Sequence, residues 1–124
     1  MSGTLIIVND LDKCTAFYRD IFKLPYVGSD PGVSTFKLQD HHLILLSPAG
    51  AAEIMGIEPG AVNIEGNPRV IVSLGVENVD ATYETLKAAG VTFLHPPTDK
   101  PWGIRLAIFT DPEGNIWDIN QERE

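Results

Sequence analysis

The sequence predicts an α+β fold assembled from two similar β-α-β-β-β modules. Three observations carry that prediction. The run Val8-Asn9-Asp10-Leu11-Asp12 returns in the second half as Val76-Glu77-Asn78-Val79-Asp80. Each copy leads into a stretch with apolar residues at helical spacing, followed by β-rich runs. Residues 101–118 then form two apolar segments joined by Asp111-Pro112-Glu113-Gly114, which has the chemistry of a type I turn. Asp accepts from the backbone, Pro presets φ and Gly tolerates φ > 0.

In chain order, residues 5–8 read as a strand, and Asn9-Asp10 can cap a helix over about 11–22. Cys14, Phe17, Tyr18 and Ile21 fall on one buried stripe of that helix, and Pro25 stops it. Residues 34–38 and 42–46 read as strands around Gln39-Asp40-His41. In the second half, 70–76 is a strand and 79–89 a helix with Val79, Thr82, Tyr83 and Leu86 on one face. Gly90 is its C-cap, 91–94 a strand, and the 101–118 hairpin follows. The layout is one domain, 1–124, with a first module at about 1–50, a connecting segment at 47–68 and a second module at about 69–124. The connecting segment is rich in Gly, Ala, Pro and Glu, with space for a short helix near 51–57. At that length it is either a linker or a flap over a site.

Composition narrows the function classes. A chain of 124 residues can bury roughly two thirds of its unfolded surface, enough for a core without staples. Apolar residues make up 44% and charged residues 21%, an ordinary globular balance. No apolar run approaches the ~20 residues of a membrane span, and residues 1–7 lack the basic start of a signal peptide. The single cysteine, Cys14, fits a reducing compartment, so a cytoplasmic protein is expected. The net charge of −8 argues against nucleic acid as a partner. It either serves solubility or draws cationic ligands into a cleft.

The paired motifs, with Phe17-Tyr18, Ala89-Gly90-Val91 and Asp111-Pro112-Glu113-Gly114-Asn115, resemble the vicinal oxygen chelate superfamily of glyoxalases, extradiol dioxygenases and bleomycin resistance proteins. Pro101-Trp102-Gly103 followed by Arg105 is similar to the bleomycin-resistance-like members. The resemblance implies two βαβββ modules forming a curved eight-stranded sheet, or half-barrel, around a ligand cup. It also implies a homodimer. In the metal-dependent relatives, the first and last strand of each module supply His and Glu ligands to a divalent ion.

Carried over by motif, those four positions fall on Gly3, Leu45, Ile71 and Asp118. A catalytic divalent ion needs about three imidazole, thiolate or carboxylate donors, and only Asp118 qualifies. The expectation is therefore no metal and no cofactor. A metal-free acid–base role would fall to Asp118 or Glu113.

The remaining candidates differ in their place along the chain. His41 lies in a turn, His42 could face either side of its strand, and His95 precedes Pro96-Pro97 at an extended loop. No pair among them has metal-ligand spacing. Cys14 sits on an apolar helix face and reads as packing. Trp102 either stacks on a planar ligand or plugs the end of its own sheet. Alternation puts Arg105, Ala107 and Phe109 on one face, and Ile116, Asp118 and Asn120 on one face of the next strand. An inward Arg105 needs a counter-ion: Asp118, a ligand carboxylate or a partner chain.

Two functions from different classes follow. The first is a metal-free protein that binds a small organic, cationic or aromatic ligand, as in drug sequestration and antibiotic resistance. Its cup would be lined by Phe36, Leu43, Leu45, Ile71, Ser73, Phe109 and Ile116, with Trp102 at the mouth and Arg105 and Asp118 as polar contacts. The second is a glyoxalase- or dioxygenase-type enzyme (lyase, isomerase or oxidoreductase) with a displaced metal site using His42, Asp118 and the 47–68 segment.

Overall fold

Among the described residues, each α-helix starts at a side chain that accepts from a free backbone N–H of the first turn, the standard solution to unpaired helix donors. Asp10 caps from Oδ1 to the Lys13 N–H at 3.0 Å, Ser47 from Oγ to Gly50 at 3.1 Å, and Asn78 from Oδ1 to Ala81 at 3.0 Å. In this computed structural model, residues 3–62 and 70–123 are described. The end of the 47–68 segment and the module limits at 1, 69 and 124 lie outside the described residues. The chain divides into two units, Met1–Gly66 and Asn67–Glu124.

The first unit runs β1 (Gly3–Ile7), α1 (Leu11–Ala16), a π-helical turn (Phe17–Ile21), β2 (Tyr26–Asp30), β3 (Val33–Leu38), β4 (His41–Leu46), α2 (Pro48–Met55) and a short 3-10 turn (Pro59–Ala61). Its four strands pair in the order β1-β4-β3-β2, with β1 and β4 parallel and the other pairs antiparallel. The second unit runs β5 (Ile71–Gly75), α3 (Val79–Ala88), β6 (Thr92–Lys100), β7 (Ile104–Thr110) and β8 (Ile116–Glu122). Its order, β5-β8-β7-β6 with β5 and β8 parallel, repeats the first. The predicted α+β class with two β-α-β-β-β modules is the observed one.

The short helix expected near 51–57 starts earlier, at Pro48–Met55, and three larger departures from the sequence reading have physical causes. The helix expected over 11–22 is α-helical only to Ala16, and the wider π-turn rotates Ile21 off the stripe, leaving it 37% exposed while Cys14, Phe17 and Tyr18 are buried. Strand β2 has no counterpart in the sequence reading, because Tyr26-Val27-Gly28-Ser29-Asp30 is an edge strand with little apolar alternation. Strand β6 continues past 94 to Lys100, carrying Pro96-Pro97 through register shifts on either side of His95.

Each sheet buries one face under its own helix. In the first unit Phe36, Leu38, Leu43 and Leu45 lie under α1 and the π-helical turn, where Tyr18 of the turn packs on Phe36 and Thr15 Oγ1 of α1 bonds Ser34 Oγ at 2.8 Å. In the second, Tyr83 of α3 packs edge-on against Phe93. Phe93 then meets Phe109, and Phe109 stacks on Trp117. The last hairpin is locked by Asp111, which is buried. Its Oδ1 accepts from the N–H of Glu113 and of Asn115, both at 2.9 Å, and its Oδ2 from the Asn115 amide at 2.8 Å. Among the described residues no helix is long and apolar enough to cross a membrane.

Candidate ligand-binding face

The two units differ in what covers the second face of the sheet. In the first, α2 packs across it: Ala51 joins Ile44 and Leu46, with Ile7 and Val33 against them. Strand β4 is therefore buried on both sides from Leu43 to Leu46. The helix is seated closely, since Ser47 N–H bonds Gly32 O at 3.0 Å and Gly50 lies against the same carbonyl. The described part of the connecting segment is thus packed on its own unit's sheet.

The second unit has no such helix among its described residues, and β8 alternates between buried and half-buried positions. Register builds the half-covered face in three rows. Ile71, Ile116 and Thr110 form the first, Ser73, Asp118 and Ile108 the second, and Gly75, Asn120 and Leu106 the third. Ile71 is 57% exposed. At the centre, Asp118 Oδ1 accepts from Ser73 Oγ at 2.8 Å and from Asn120 Nδ2 at 2.7 Å. The same amide nitrogen reaches Ser73 Oγ at 3.0 Å and Leu74 O at 3.3 Å. A fixed carboxylate thus stands in a field of isoleucine and leucine.

This grid corrects the predicted lining. Phe109 is on the opposite face from Ile71 and Ser73, fully buried beneath α3; Phe36, Leu43 and Leu45 are likewise under α1. Strand alternation separates faces but does not say which face a helix takes. Ile71, Ser73, Ile116 and Asp118 do share a face, joined by Ile108, Leu106 and Asn120.

The Arg105–Asp118 pair is also corrected. Arg105 shares the helix side with Ala107 and Phe109, and at the end of the sheet it meets the first turn of α3. Its Nε and Nη2 bond the Asp80 carboxylate at 2.9 and 2.8 Å, and its Nη1 bonds Asp99 at 3.1 Å. These partners raise the guanidinium above its usual value, while the Arg105 hydrogen bond lowers the Asp80 carboxyl. The charge of Arg105 is satisfied inside its own unit. Asp80 had no sequence signal beyond an acidic residue at a helix start.

Trp102 does not plug a sheet end, being 68% exposed. Its turn is nonetheless held firmly: Gly103 N–H bonds Lys100 O at 3.3 Å, Arg123 N–H bonds Gly103 O at 2.8 Å, and Arg123 Nη2 bonds Lys100 O at 2.7 Å.

The registers also test the metal positions. Gly3 pairs with His42 in β1–β4 as Ile71 pairs with Ile116 in β5–β8. Two residues further along β8 is Asp118, and two along β4 is Ile44, so the first module's counterpart is Ile44 rather than Leu45. A one-residue slip moved that position to the wrong face. Gly3, Ile44 and Ile71 offer no side-chain lone pair, so these four positions do not supply the three donors of a divalent-ion site. Among the described residues no three His, Cys, Asp or Glu side chains cluster as a metal site would require. His41 Nε2 lies 3.4 Å from Thr4 Oγ1, and His95 Nδ1 bonds the Pro96 carbonyl at 2.8 Å. His42 Nδ1 is buried with no partner among the described residues. Cys14 is buried.

Comparison with known proteins agrees with this architecture. Residues 2–119 match the model of the Glyoxalase/Bleomycin resistance protein/Dioxygenase superfamily. The uncharacterized protein YraH of Bacillus subtilis is 33% identical over 117 residues, covering 92% of this chain and 91% of YraH. A probable lactoylglutathione lyase of Vibrio cholerae is 25% identical over 127 residues, covering 98% and 89%. Among solved structures, a glyoxalase/bleomycin resistance protein/dioxygenase from Nocardioides superposes with a TM-score of 0.84 at 25% identity, covering 99% of this chain and 83% of its own. The duplicated β-α-β-β-β sheets, the Asp111-locked hairpin and the match over residues 2–119 agree: this chain belongs to the glyoxalase/bleomycin resistance protein/dioxygenase superfamily.

Proposed function

We propose that this chain is a metal-free protein that binds and sequesters a small organic ligand, cationic or aromatic in character, on the half-covered face of its second module. The observation that carries this reading is the Ser73–Asp118–Asn120 cluster set among Ile71, Leu106, Ile108 and Ile116. Apolar walls with a few oriented polar groups are the usual make-up of a small-molecule site. Three of the four positions that hold metal in the enzymes of the family are glycine or aliphatic here, so a Lewis-acid reaction has no ligand set to run on. Trp102, exposed on a clamped turn, supports stacking on a planar ligand, in the manner expected of a bleomycin-resistance-like member.

Metal analysis of protein purified without chelator tests the reading. One equivalent of zinc, nickel, manganese or iron per chain, lost in Asp118→Ala, overturns it in favour of a glyoxalase- or dioxygenase-type enzyme. A substoichiometric metal content unaffected by that substitution, together with quenching of Trp102 fluorescence by an aromatic cation that Trp102→Phe abolishes, is the expected result.

We further propose a cytoplasmic homodimer. Leu5, Val27, Ile54 and Met55 are exposed apolar side chains that a second copy would cover. Light scattering at micromolar concentration should return twice the chain mass of 13.5 kDa, and a monomer contradicts the proposal.

A further inference from the structure

The hydrogen-bond inventory of the same face names the ligand chemistry more narrowly, an inference that rests on the binding reading above. The amide of Asn120 faces Leu74 O and Asp118 Oδ1, both obligate acceptors, so the atom turned toward them is the nitrogen and the carbonyl oxygen points away. Its two protons are shared among three acceptors inside the cluster. The single proton of Ser73 goes to Asp118 Oδ1. Every donor of the cluster is therefore spent internally. What remains is Asp118 Oδ2 and Asn120 Oδ1, two acceptors with no partner among the described residues.

The surrounding side chains do not change that balance. Ile71, Ile108, Ile116 and Leu106 supply no donor, the Thr110 hydroxyl at the edge of the grid makes no bond to Asp118 or Asn120, and Arg105 of the neighbouring strand is on the other face and committed to Asp80 and Asp99. A ligand carboxylate, phosphate or dicarbonyl would set its lone pairs against a carboxylate with no ion between them. A quaternary ammonium would match the charge but leave both acceptors unsatisfied as it displaced their water, which is costly.

We infer that the ligand of this face carries a cationic group with at least two N–H donors, an amidinium, guanidinium or primary ammonium, joined to an apolar body. The donors meet Asp118 Oδ2 and Asn120 Oδ1, the shorter and stronger class of charge-assisted hydrogen bonds. Leu106, Ile108, Ile116 and Ile71 take the apolar body.

Calorimetric titration of the full chain with benzamidinium, phenyltrimethylammonium, benzoate and indole tests this, with the methyl NMR signals of Ile71, Ile108 and Ile116 reporting location. Benzamidinium should shift all three methyls and bind about ten-fold or more tightly than phenyltrimethylammonium or benzoate. Asp118→Asn should remove about the same factor, while Ser73→Ala, which keeps the carboxylate, should cost less. Phenyltrimethylammonium binding as well as benzamidinium, or benzoate binding better, overturns the donor inference and leaves the binding reading standing. Indole shifting the methyls while benzamidinium does not has the same consequence. If none of the four probes shifts them, both fail. The probe comparison uses unmodified protein, so it holds whether or not the Asp118 variant folds.

Discussion

Replacing Gly50 by alanine sets two effects of opposite sign against each other, and the structure decides between them. Gly50 lies inside α2, where exchanging glycine for alanine ordinarily stabilises a helix by about 1 kcal/mol. Here an added Cβ would stand 2.2 Å from the Gly32 carbonyl oxygen and 3.0 Å from its carbon. That is more than 1 Å inside ordinary contact, and the obstacle is backbone. Gly32 cannot easily yield, because it has φ of +79° in a tight turn and its oxygen accepts from Ser47 N–H at 3.0 Å. The helix cannot retreat without opening the packing of Ala51 against Ile44 and Leu46. Overpacking of this kind costs about 1–3 kcal/mol, and a lost backbone hydrogen bond about 1 kcal/mol more. Against the propensity gain, the net is a destabilisation of about 1–3 kcal/mol. Urea unfolding followed by far-ultraviolet circular dichroism should show the midpoint falling with an unchanged slope. A thermal scan should show Tm lower by about 5–10 °C. Gly60→Ala, which meets nothing within 4 Å, is the control and should shift stability by no more than about 0.5 kcal/mol. A Gly50→Ala protein as stable as the original would refute the close approach of α2 to the β2–β3 turn.

Other expectations follow from the same geometry. Asp111→Ala removes the acceptor of three hydrogen bonds from the 111–115 turn and should cost about 2–4 kcal/mol in unfolding experiments. Phe109→Ala should lose about 3–5 kcal/mol of stability, as core residues do, whereas Ile71→Ala should lose less than about 1 kcal/mol and instead weaken ligand binding. A comparable loss of stability in both would contradict the assignment of faces. The Asp80 carboxyl is lowered in the folded protein by its hydrogen bonds from Arg105, so the pair stabilises only while Asp80 is ionised. The advantage of the original chain over Asp80→Asn should be complete above about pH 4 and vanish as pH falls through the lowered value. An advantage that persisted in strong acid would show that the pair is not its source.

Much of this chain is legible in its sequence. The Asn9-Asp10 and Asn78 caps, Gly90 and the Asp111-Pro112-Glu113-Gly114 turn are local devices, satisfied within a few residues, so type and spacing identify them directly. Alternation along β8 put Ile116, Asp118 and Asn120 on one face for the same reason. The edge strand β2 and the π-turn were not legible, since one has little pattern and the other breaks the helical period it appeared to continue.

Sequence alone determined the duplicated β-α-β-β-β order and the family, and it removed the donors from Gly3 and Ile71, because these follow from residue identity at short range. Only the tertiary structure decided which face of each sheet a helix covers. That decision moved Phe36, Leu45 and Phe109 into the core, set Ile44 in place of Leu45, and turned Arg105 toward Asp80. Period-two alternation is symmetric between the two sides of a strand, and helix packing together with cross-strand register breaks that symmetry.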